Sequence, residues 1–397
     1  MTADPYKSAP DRAFWSRSVA RTFAPATVVD TPPFQLGPED RFMSAGSCFA
    51  SNVRRYLESW GYHYVATEST HAQWPESAET LYYDAFSARY GNVYTARQMA
   101  QLLERVMGTF RPDEEYWETA DGEFIDPFRP GLAHRAWSVA EFRALTDRHL
   151  AAVRRAVEEA TVFVFTLGLT EAWRSRSDGA VFPACPGTVS GEFDPDRHEF
   201  VNFTVAEITE DLEVMVRHLR TLNPLVRIIL TVSPVPLVAT ATGRHVLSAT
   251  TYSKSALRVA ADQLVQRHPD VLYFPAYEIV VGPQNQETPF ESDLRSVREP
   301  VVASVMAAFA ESLLGAPPSA PVNRPGDPAR DDERRALLAN AVEAECEEMM
   351  ADRPSDRPEK AGGVGEVPRT PPGSPASGAS PSRLSRLLGG KRRPDNS

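Results

Sequence analysis

Ser47 is the residue with the most chemistry within reach. It directly follows Gly46, where a short apolar run at Phe42 and Met43 gives way to small turn residues, and then to Phe49, Val53, Tyr56, Leu57 and Trp60 at helical spacing. A serine in the first turn of a helix can attack an acyl carbonyl while its own backbone N–H binds the developing oxyanion. A serine there can equally serve as a plain helix cap. Cys48 offers a second nucleophile if the helix N-terminus favours its thiolate, and otherwise packs behind the turn as a small apolar residue.

A nucleophile needs a proton acceptor. Of the eight histidines, His245 in Gly243-Arg244-His245-Val246 follows the strand end Ser233 to Pro236 by about ten residues, so it can fold back over a cleft. That makes it the candidate general base. Lys254 and Arg258 stand one turn apart on the next helix, where they could bind a substrate carboxylate or phosphate, or form a solvated face.

The elements that must position these groups follow one rhythm. Thr161 to Leu167, Val226 to Val232 and Val271 to Ala276 are β-rich apolar runs, each preceded by a helical pattern: about 140–160, through Ile208 to Leu219, and about 252–267. Unbroken apolar runs suit parallel strands covered on both faces, and strands alternating with helices give a parallel α/β sheet. In such a sheet ligands collect beyond the carboxyl ends of the strands, here Gly46-Ser47, Gly168 to Glu171, Ser233 to Pro236 and Tyr277-Glu278. Residues 69–130 break the rhythm and read as an insertion over the sheet edge or the cleft. The long Gly, Pro and Asp-rich stretch from Arg174 to Asn202 reads as a lid.

Gly46-Ser47-Cys48-Phe49-Ala50 resembles the signature of the GSCFA-domain family. So do Thr166-Leu167-Gly168-Leu169-Thr170-Glu171-Ala172-Trp173, Leu230-Thr231-Val232-Ser233-Pro234-Val235-Pro236, Tyr252-Ser253-Lys254-Ser255 and Tyr273-Phe274-Pro275-Ala276-Tyr277-Glu278. The resemblance spans about residues 40–310. It implies an SGNH (GDSL-like) hydrolase with a flavodoxin-like sheet, helices on both faces, and ester chemistry. Carried over by position, Gly168 and Thr170 stand where that superfamily binds the oxyanion, with Thr170 in place of an asparagine donor. Glu171 either orients a histidine or forms a structural salt bridge. Asp293 stands where the superfamily's acid–histidine pair lies, but Ser296 occupies the histidine position. Gly46 and Ser233 complete the expected binding turn, and no metal or other cofactor is implied.

Composition narrows the rest. Among 397 residues, 42% are hydrophobic and the net charge of −11 is spread along the chain, which argues against a nucleic-acid partner. No apolar run suits a signal peptide or a membrane span, and three widely spaced cysteines fit a reduced cytoplasmic setting. The expected division is an N-terminal arm at 1–37, the α/β domain at 38–315, a charged helix and linker at 316–352, and a disordered Pro/Gly/Ser-rich tail at 353–397. The basic end of that tail could touch a protein or membrane surface. The function expected is O-acyl ester hydrolysis or acyl transfer on an acylated carbohydrate or other small molecule. The rival expectation is a binding protein of the same fold that has lost its triad, in surface-polysaccharide assembly or elsewhere.

Overall fold

A computed structural model describes residues 4, 6–47, 49–68, 86–132, 135–188, 190–285 and 287–315. The chain divides into two units, Met1–Arg353 and Pro354–Ser397, and every described residue belongs to the first. Cys48, the helix expected within 316–352 and the tail beyond it lie outside the described residues.

In chain order the strands are β1 (Arg41–Gly46), β2 (His63–Tyr64), β3 (Trp117–Glu118), β4 (Phe124–Ile125), β5 (Val162–Leu167), β6 (Glu171–Ser175), β7 (Val181–Phe182), β8 (His198–Asn202), β9 (Arg227–Val232) and β10 (Val271–Tyr273). The α-helices are α1 (Trp15–Ser18), α2 (Phe49–Ser59), α3 (Ala96–Met107), α4 (Val139–Glu159), α5 (Val205–Leu222), α6 (Val246–Arg267), α7 (Ala276–Val281) and α8 (Glu299–Leu313). The central sheet is parallel, in the order β10-β9-β5-β1-β2. Counting its strands along the chain, that is the flavodoxin-like order 2-1-3-4-5, with the switch point between β1 and β5.

Side-chain alternation explains why both faces are covered. Met43, Phe163, Phe165, Ile228, Leu230 and Val271 point to one face, where α3, α4, α5 and α6 bury them. Phe42, Val162, Val164, Ile229 and Leu272 point to the other, against α2, α7 and α8. Continuous apolar runs are what such a two-sided burial demands. The N-terminal residues Val29 and Leu36 belong to the second core, and Leu36 N–H donates to Leu313 O at 3.3 Å. Helix starts follow local chemistry: Thr95 and Thr204 close capping boxes with Gln98 and Glu207.

Three readings of the pattern change. The run at Val271 leaves the sheet after Tyr273, because Pro275 has no N–H for a ladder and stands at the start of α7. α6 begins at Val246, a turn and a half before the helix expected from Tyr252. The stretch expected as a lid, 174–202, contains β7 and β8, which pair with β6 in an antiparallel sheet where Trp173 pairs with Phe182 and Phe200.

α4 also buries His149 against Glu68. Burial, aided by the positive Arg129, pushes His149 down to about 4, and its neutral ring meets Glu68 with Nδ1 to Oε2 at 2.7 Å. Burial alone would raise Glu68, but hydrogen bonds from His149 and from the Arg89 N–H hold it at about 2. The unfolded groups would protonate near 6.5 and 4.5. In acid the unfolded chain therefore binds more protons at both sites, so stability is full above about pH 6.5 and declines as pH falls. We expect the thermal midpoint to drop between pH 6.5 and 4, with a contribution from His149 of the order of 3 kcal/mol. His149→Gln should flatten that part of the profile. A profile that stays as steep in the variant would place the acid sensitivity elsewhere.

Candidate functional site

The carboxyl end of β1 sets the site. Gly46 has a φ of +145°, and a Cβ there would sit 2.7 Å from Thr166 Cβ and closer still to its carbonyl oxygen. Only glycine lets β1 lie so tightly against β5 while turning its backbone into the loop. The carbonyl of Gly46 accepts from Val93 N–H at 2.9 Å. Ser47 follows, 5% exposed, and its carbonyl accepts from Ala50 N–H in the first turn of α2. Its buried Oγ has no hydrogen-bond partner among the described residues. A buried hydroxyl without a partner is unfavourable.

Ser47 lines a cleft of about 290 Å³. The ends of β5 and β9 contribute Gly168, Leu169 and Ser233, β6 contributes Glu171 and Trp173, and α6 contributes Lys254. Among the polar lining groups, Glu171 and Lys254 are ionisable. Glu171 Oε1 accepts from Thr240 Oγ1 at 2.8 Å and Oε2 from Ala241 N–H at 3.3 Å. Burial raises its pKa above the usual glutamate value, and these two hydrogen bonds only partly oppose the rise. Lys254 is 2% exposed and its Nζ donates to Gly168 O at 2.6 Å. That bond ties α6 to the loop after β5.

The expected residues divide by place. Ser47, Gly168, Glu171, Ser233 and Lys254 line the cleft, and Gly46 shapes it from behind. Thr170 does not: its Oγ1 donates to Asn202 Oδ1 at 2.7 Å and its N–H to Ser253 Oγ at 3.1 Å. The Gly168 N–H, expected to bind the oxyanion, donates instead to Tyr94 O at 2.9 Å. His245 is exposed and caps α6, its Nδ1 accepting from Leu247 N–H at 3.2 Å. No described histidine lines the cleft. Asp293 turns its carboxylate onto Arg295 N–H and Ser296, and these bonds hold its pKa low against partial burial. Arg258 is engaged by Glu278 at 2.7 Å and Asp262 at 3.1 Å, over the Tyr273 ring. Two further cleft residues, Thr240 and Arg295, come from irregular loops whose sequence gives no periodic signal. Among the described residues there is no group of three or more His, Cys, Asp or Glu able to hold a metal ion, and no helix long and apolar enough to cross a membrane.

No curated protein matches the chain. A carbohydrate esterase family 3 protein from Talaromyces cellulolyticus is similar at 10% identity, over 70% of this chain and 97% of that one, with a TM-score of 0.33. A family 3 carbohydrate esterase of Clostridium thermocellum is similar at 10% identity, over 75% of this chain and 98% of that one, with a TM-score of 0.29. The GSCFA family model matches residues 41–309, the whole stretch from β1 into α8. The chain belongs to the GSCFA family.

Proposed function

We propose that the chain is an SGNH-like serine hydrolase that cleaves or transfers an acyl ester, with Ser47 as nucleophile and Glu171 as the general base in place of a histidine. The observation that carries this reading is the orphaned, buried Ser47 hydroxyl on a residue that lines a cleft also holding a partly desolvated carboxylate. Ser47 Oγ attacks the ester carbonyl carbon as its proton passes to Glu171. The Ser47 N–H and the positive charge of Lys254 favour the oxyanion, and Glu171 returns the proton to the departing alkoxide. Water, or an acceptor hydroxyl for transfer, then attacks the acyl-serine by the same route in reverse.

A serine-directed fluorophosphonate tests the assignment on folded protein. An adduct on Ser47 is expected, together with hydrolysis of a chromogenic ester that is lost in Ser47→Ala and kept in Cys48→Ala. Turnover that survives Ser47→Ala but not Cys48→Ala would transfer the nucleophile's role to the thiol. A second reading, a binding protein without turnover, draws on the lack of any described histidine in the cleft; it predicts neither adduct nor hydrolysis.

A further inference from the structure

The wall of the cleft is mostly apolar. Trp173 and Phe200, whose rings meet edge-on at 5.6 Å, come from the three-stranded sheet, and Val235, Pro236 and Leu237 from the loop after β9. Away from Ser47 and Glu171 several of the polar lining side chains are already engaged within the protein. Ser233 Oγ accepts from Val235 N–H, Thr240 Oγ1 donates to Glu171, and Arg295 Nε donates to Pro236 O. A sugar ring against such a largely apolar wall would leave several of its hydroxyls short of partners, which is unfavourable for each group so stripped of water. A hydrocarbon there only gains.

Resting on the esterase reading above, we propose that the cleft holds the acyl part of the substrate, an unbranched chain of about 8–12 carbons, with its carbonyl at Ser47 and its alcohol part outside. The size follows from volume. An apolar cavity of about 150 Å³ accepts the six carbons of benzene. The present 290 Å³ is about twice that, which sets an upper bound near twelve carbons. An acetyl group would leave most of the apolar wall in contact with water.

The test pairs binding with turnover in the full chain. Sodium decanoate and sodium acetate are titrated into Ser47→Ala, with decanoate kept below micelle-forming concentration. Nitrophenyl esters of two to sixteen carbons are given to the wild type. Each methylene that enters the cleft should strengthen binding by up to about fourfold. We therefore expect decanoate to bind at least about 100-fold tighter than acetate, with kcat/KM rising over the same lengths and falling beyond twelve carbons. Ala239→Phe, which fills part of the wall, should move the optimum to shorter chains. Saturable decanoate binding with no hydrolysis of any ester would keep the acyl pocket and overturn the esterase reading. Hydrolysis that is best with the acetyl ester, or the absence of saturable decanoate binding, would overturn the inference itself.

Discussion

Replacing Gly46 by alanine is expected to destabilise the protein by about 3–5 kcal/mol, and so lower its thermal midpoint by about 10 °C. Two effects combine. A φ of +145° strains any L side chain, and the new Cβ would press on Thr166, which pairs with Gly46 in register within the closely packed centre of the sheet. β1 and β5 cannot separate without opening both cores, since each contributes side chains to both faces. Gly61→Ala serves as the control. Its φ of +82° is also positive, but a Cβ there meets nothing within 4 Å, so only the backbone strain of about 1 kcal/mol remains. If the two variants melt together, close approach to Thr166 is not what requires glycine. Activity should fall further than stability in Gly46→Ala, because the same backbone carries Ser47.

The second large effect concerns Ser47 and Glu171 as a unit. Ser47→Ala and Glu171→Gln are each expected to lower kcat/KM by about 10³-fold or more, and the double variant to be no worse than the poorer single one. Groups that share one proton transfer lose their joint contribution once, whereas independent groups would multiply their losses. The pH profile gives a separate reading. A carboxylate base works only when ionised, so activity falls as pH drops through the pKa of Glu171. Burial places that limb above the ordinary value of 4.5. Thr240→Val removes a hydrogen bond that favours the ionised form and should move the limb higher still. Glu171→Gln should erase it. A limb that persists in Glu171→Gln would assign the base to another group, with Lys254 the next candidate in the cleft.

The legible part of this molecule is the part governed by periodicity. β5 and β9 were readable almost to the residue, because strands buried on both faces are apolar at nearly every position. The helices that cover them show their inward stripes equally plainly. The β7-β6-β8 sheet was not readable: β6 and β8, EAWRS and HEFVN, are short, carry charges and are partly exposed, and β7 has only two residues. Position along the chain misled at His245, which lies near the end of β9 in sequence but spends its ring on capping α6. Lys254 was visible only as a helix-face cation, since nothing local reveals that Gly168 O would draw it inward. Glu171 stood out as an acid at a strand end. Its environment depends on Thr240, 69 residues away on a loop with no pattern of its own.

The central sheet also has a consequence for the chain's behaviour among copies of itself. Its outermost strands, β2 and β10, are its shortest, with two and three residues against six in each of the three between them. Among the described residues, a ladder that tapers at both sides presents few free backbone groups on which another strand could template, a brevity that disfavours edge-to-edge association.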